Sequence, residues 1–117
     1  MSIKRIDAGP RMSGAVVHGN TVYLAGITAR GDATGKSVAE QTRSILGRID
    51  ALLAEAGTDK SKLLSANIWL TDIKTWAEMN TVWDAWVAPG STPARATVEA
   101  KLAAPGLDVE IMVVAAV

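Results

Sequence analysis

The last nine residues, Val109-Glu110-Ile111-Met112-Val113-Val114-Ala115-Ala116-Val117, decide the fold. Successive side chains of a strand point to opposite faces of its sheet. Val109, Ile111, Val113, Ala115 and Val117 form an unbroken apolar set, which marks the face that helices cover. The alternate set is Glu110, Met112, Val114 and Ala116, one acid followed by apolar groups. A strand apolar on both faces needs cover on both, and exposed apolar patches of this kind usually mark interfaces.

Outward from this strand, Arg95 to Leu102 reads as its hairpin partner, joined through the loop that carries Pro105-Gly106. Ala96, Val98, Ala100 and Leu102 are then expected under the helices, with Arg95, Thr97, Glu99 and Lys101 on the open face. Further upstream, Thr75-Trp76-Ala77-Glu78 has the form of a capping box, and Trp76, Met79, Trp83 and Val87 share a helical stripe that ends before Pro89-Gly90. Leu63 to Leu70 is β-branched and aromatic enough for a strand. Ser37-Val38-Ala39-Glu40 is another capping box, followed by Val38, Ile45, Ile49, Leu52, Leu53 and Ala56 at helical spacing and by Gly57 as a stop. Gly14 to His18 and Thr21 to Ile27 flank Gly19-Asn20, a dipeptide suited to a hairpin turn.

The order is ββ(β)αβαββ, the optional strand being Lys4 to Asp7. Right-handed crossovers put both helices on one face of a mixed sheet, an α+β arrangement. At 117 residues the chain forms a single domain, 1–117. The uncovered face implies a homo-oligomer that shields it with copies of itself. On this reading Arg95 and Glu110 lie on neighbouring strands, on one face, near a subunit boundary.

Composition removes several classes of function. Twelve basic residues balance twelve acidic ones without a run of like charge, so neither nucleic acid nor an anionic membrane is an expected partner. Cysteine is absent and His18 is the single histidine, which leaves no metal constellation. His18 has no acid or serine at a supporting spacing and reads as a turn-edge surface residue. The charged start, Met1-Ser2-Ile3-Lys4-Arg5-Ile6-Asp7, does not read as a signal peptide, and no window of about eighteen apolar residues offers a membrane span, so a cytoplasmic protein is expected. Gly31-Asp32-Ala33-Thr34-Gly35-Lys36-Ser37 resembles a phosphate loop but has three residues between its glycines where four are needed, so it reads as a loop plus a helix cap. Trp69, Trp76, Trp83 and Trp86 are expected in core or interface packing rather than a ligand cage.

Arg95 and Glu110 carry the chemical interest, and two readings stay open. They can form a structural ion pair. Alternatively, the guanidinium forks onto a ligand carboxylate while the acid takes a proton from water in a partly dry pocket, which suits hydrolysis of a small α-substituted carboxylic acid.

Pro93-Ala94-Arg95-Ala96-Thr97-Val98-Glu99 followed by Val109-Glu110-Ile111 resembles the signature of the Rid/YjgF (RutC-like) family. Gly19-Asn20-Thr21-Val22-Tyr23-Leu24-Ala25-Gly26, Gln41-Thr42-Arg43, and Met79-Asn80 with Trp83 extend the likeness over nearly the whole chain. Trp83-Asp84-Ala85-Trp86-Val87 and the Val-Val-Ala-Ala-Val ending are most similar to its short bacterial YoaB-like branch. The resemblance implies a chorismate-mutase-like fold, a homotrimer with clefts between subunits, and cofactor-free hydrolysis of 2-imino acids or their enamine tautomers to 2-keto acids and ammonia. It also implies that Arg95 clamps the carboxylate, the Thr97 backbone contacts imine or water, and Glu110 positions and activates water, with Asn80, Gly26 and Met12 lining the substrate. Where the deaminase branch has an early tyrosine, this chain has Arg11 or Met12. Ala25-Gly26-Ile27 replaces Ser-Gly-Gln, and Thr97 replaces a common cysteine. The alternative to an enzyme is a trimer that binds small carboxylates such as keto acids without turnover.

Overall fold

The computed structural model describes residues 1–117. Strands β1 (Ile3–Ile6), β2 (Ala15–His18), β3 (Thr21–Leu24) and β4 (Ile27–Thr28) precede helix α1 (Val38–Glu55). Strand β5 (Leu63–Leu70), helix α2 (Trp76–Trp86), β6 (Ala94–Glu99) and β7 (Val109–Ala116) complete the chain. The sheet order is β1-β2-β3-β7-β5-β6, with β4 also paired to β7. The fold is the mixed α+β sheet expected from the sequence. No helix is long and apolar enough to cross a membrane.

The last strand takes the centre of the sheet, antiparallel to both β3 and β5. That place suits a strand whose two faces are both apolar. It also overturns the expected final hairpin. Strand β5 lies between β6 and β7, and β6 is a parallel edge strand reached through α2. The optional first strand does form, paired to β2, and Gly19 turns the β2–β3 hairpin at φ +60°.

The core joins Val22, Ile68, Ile111 and Val113 of the sheet to Ile45, Ile49 and Leu53 of α1 and to Met79 and Trp83 of α2. Trp76, expected on the same stripe, is half exposed, because it opens α2 at the end of the sheet. Residues 21–27, expected as one strand, are broken at Ala25-Gly26. Tyr23 pairs with Val114 and Ile27 with Ile111, so one strand advances by four residues while its partner advances by three. The surplus residue is a β-bulge, a device that re-aims neighbouring side chains.

The first capping box forms on its serine side: the Ser37 hydroxyl accepts the Glu40 N–H at 3.1 Å. At the other end of α1, Gly57 takes φ +84° as the expected stop. The second box does not form. Thr75 makes no cap and donates instead to the Asp72 carbonyl, while Asp72 accepts the Lys74 N–H. Glu78 reaches across to α1, where its carboxylate accepts the Ala39 N–H at 2.8 Å. An acid at a helix N-terminus satisfies an orphan donor and complements the helix dipole. Glu78→Ala should therefore cost about 1 kcal/mol, read as a lowered urea midpoint with an unchanged slope.

The loop that resembles a phosphate cradle is closed by its own hydrogen bonds. The N–H groups of Thr34 and Lys36 go to Gly31 and Ala33, and that of Gly35 to Gly106. The loop-plus-cap reading holds here, and His18 is exposed beside its turn.

Candidate functional site

Strand register fixes which way each candidate points. Arg95 pairs with Ala66, and Thr97 with Ile68, both core residues on the helix side. Arg95 and Thr97 therefore face the helices, whereas Ala96 and Val98 share the open face with Asn67 and Trp69. These two sets are the reverse of those expected from strand parity. The rule that the apolar set of a strand faces the helices fails on edge strand β6, where the open face is itself apolar and Val98 is 50% exposed. Glu110 does lie on the open face, opposite Trp69 of β5 and Thr28 of β4. Arg95 and Glu110 thus occupy opposite faces with a strand between them, which excludes an ion pair within one chain.

The Arg95 side of the site is a held cation. Its Nη1 donates to Asn80 Oδ1 at 2.8 Å, and the guanidinium lies 5.4 Å from the centroid of the Trp83 ring. Both partners come from α2, one turn apart, and both are neutral. A guanidinium stacked on an aromatic face and held at one corner keeps its remaining donors for a carboxylate. Asn80, expected to touch substrate, is in this structure the residue that fixes Arg95.

Thr97 sits two residues along the same face. Its Oγ1 is buried and has no hydrogen-bond partner. A buried hydroxyl left unpaired costs about 1–3 kcal/mol. Thr97→Val keeps the shape and the main chain, so it should raise stability by about 1 kcal/mol in urea unfolding while leaving the backbone contacts at this position intact.

The Glu110 side is built on the bulge. A Cβ on Gly26 would collide with Glu110 Oε2, so the carboxylate rests where any other residue would place its side chain. Gly26 also borders a cleft of about 420 Å3 between the β3–β4 segment and α1, lined in part by Met12, Arg30 and Arg48. Arg48 is half-buried and donates to the Thr28 carbonyl. Burial and then the nearby Arg30 guanidinium push its pKa below the ordinary arginine value. Neither arginine stood out in the sequence, because each reads as a solvated charge until the fold brings the Thr28 carbonyl within reach of Arg48.

A third group holds the approach to β7. Gln41 is fully buried in α1; its Nε2, with two N–H groups, is shared among the Lys36 and Gly106 carbonyls and Asp108 Oδ2, and its Oε1 accepts the Asp108 N–H at 2.9 Å. Thr71 donates to the other oxygen of Asp108. This fully partnered network fixes the backbone two residues before Glu110. The tryptophans make no cage: Trp83 packs on Trp86 at 5.4 Å, and Trp69 faces the opposite side of the sheet.

One mixed sheet with two helices on a single face, an Arg-bearing edge strand and an acid on the uncovered face define a chorismate-mutase-like protein. The chain belongs to the Rid/YjgF family: the family model described as Endoribonuclease L-PSP matches residues 2–117. It is 47% identical to the RutC family protein YoaB of Escherichia coli, over the whole of both chains. A RutC family protein of Haemophilus influenzae is 45% identical over 98% of each. The crystal structure of a YjgF family member from Neisseria meningitidis superposes with a TM-score of 0.94 at 47% identity, covering 99% of this chain and 95% of that one. One from Mycobacterium tuberculosis gives 0.88 at 34% identity, covering 99% and 100%.

Proposed function

We propose that the protein hydrolyses 2-imino acids and their enamine tautomers to 2-keto acids and ammonia, in a homotrimer whose sites combine Arg95 of one copy with Glu110 of the next. The observation that carries this reading is the separation of two groups whose chemistry belongs together. Arg95 is held by neutral partners and turned to one face; Glu110 is seated on Gly26 and turned to the other. The exposed apolar groups of the open face, including Tyr23 and Val98, supply the surface through which copies would meet.

In such a site Arg95 forks onto the substrate carboxylate and the Thr97 backbone contacts the imine or the water. Water adds to the C=N carbon as Glu110 takes its proton. Return of that proton to the imine nitrogen gives a carbinolamine; transfer of the added hydroxyl's proton to the amino nitrogen then makes ammonia the leaving group, and the carbonyl of the keto acid forms as the C–N bond breaks. Every step is proton transfer and addition, so no cofactor is required. The family description carries the name of an endoribonuclease; the balanced charge and the apolar open face of this chain favour a small carboxylate over RNA.

The test is to generate imines in situ with an amino-acid oxidase and follow keto-acid and ammonia release with catalytic amounts of protein. Acceleration supports the proposal. Keto-acid binding without acceleration would assign the chain to the carboxylate-binding class instead. Glu110→Gln keeps the shape but cannot accept a proton, so turnover should fall roughly 10²–10⁴-fold while affinity for a keto acid changes far less. Equal losses would make Glu110 structural.

A further inference from the structure

The cleft beside Gly26 holds a cationic pair that the reaction above does not use. Arg48 spends one donor on the Thr28 carbonyl, and a guanidinium has five. Its depressed pKa comes from burial and from Arg30, with no carboxylate acting to raise it. Two adjacent guanidiniums, one of them half-buried, are an unfavourable arrangement that an anion between them relieves. Asp7 and Glu55 also line the cleft. Its net charge is therefore zero, and an anion gains only by reaching the guanidiniums themselves rather than from a general positive field.

We propose that this cleft is the side-chain pocket of the site and that Arg48 and Arg30 receive a second carboxylate, which makes short dicarboxylic 2-imino acids the preferred substrates. The inference rests on the reading that Gly26 and Met12, which border the same cleft, face the substrate. The α-carboxylate goes to Arg95 of the adjoining copy, and the far carboxylate crosses Met12 to the arginine pair. An arginine fork suits that carboxylate because its donors match the two oxygens in pairs. Met12, unbranched and adaptable, can pack along the connecting methylenes.

The experiment is titration calorimetry of the assembled protein with 2-oxoglutarate and with 2-oxobutyrate, which share the keto-acid end and differ in the second carboxylate. The dicarboxylate should bind about 10–100-fold more tightly. Arg48→Met should bring the two affinities to within about threefold of each other. Arg30→Gln, at an exposed position with no part in the Thr28 bond, should narrow the ratio by several-fold even if Arg48→Met fails to fold. Equal affinities in the unaltered protein, or a ratio that survives both substitutions, overturn the second-carboxylate pocket and leave the deaminase reading standing. Failure of both ligands to bind overturns the Arg95 clamp, and this pocket falls with it.

Discussion

Replacing Arg95 by alanine should lower both keto-acid affinity and imine turnover by roughly 10²–10⁴-fold, because two hydrogen bonds to a charged carboxylate, each worth about 1.5–3 kcal/mol, are lost together. The fold should survive. Arg95 lies on an edge strand, and its recorded partners are one amide oxygen and the face of one ring, so its removal leaves no buried charge behind. The stack and the aliphatic stem contribute about 1 kcal/mol, a shift measurable in urea but not a collapse. Arg95→Lys separates charge from geometry. The ammonium keeps the charge but loses the fork and the stack, so weak binding should persist while turnover falls steeply. Normal binding and turnover in Arg95→Ala would place the site elsewhere, and an unfolded variant would make Arg95 architectural.

Val114→Asp should convert the assembly to monomers. Val114 pairs with Tyr23 and Ser65 on the open face, near the middle of the sheet. A carboxylate there meets water in an isolated chain but is buried unpaired once copies close over it, at a cost of several kcal/mol for each copy. Sedimentation equilibrium should report a trimer for the unaltered protein and a chain of 12.2 kDa for the variant. Circular dichroism should be little changed, since the helix side of β7 is untouched. Deamination should be lost with the assembly, which links the open face to the chemistry without altering Arg95 or Glu110.

The two helices, the bulk of the strands and the two-layer architecture were legible because they depend on local periodicity and on the apolar tail. Pairing was less so. The loop with Pro105-Gly106 is short enough to suggest a hairpin, yet β7 passes over its sequence neighbour to the centre of the sheet, where both of its apolar faces can be used. That long-range preference also set the faces of β6. Parity was sound for Val109 to Ala116, a central strand with one fully buried face, and failed for Arg95 to Glu99, an edge strand with neither face fully buried. Arg95 and Glu110 were therefore singled out by residue type but placed in the wrong relation. The bulge at Ala25-Gly26 was hidden because one surplus residue leaves no mark in composition. At that bulge Gly26 leaves the space that the Glu110 carboxylate occupies.

Complementation between two inactive variants tests the shared site most directly. Arg95→Ala and Glu110→Gln chains, unfolded together in equal amounts and refolded, assemble at random into mixed closed rings. If each site takes Arg95 from one copy and Glu110 from its neighbour, about a quarter of the sites contain both native groups and about a quarter of wild-type deamination returns. If both groups act within one chain, every site lacks one of them, and the mixture stays as inactive as either variant alone.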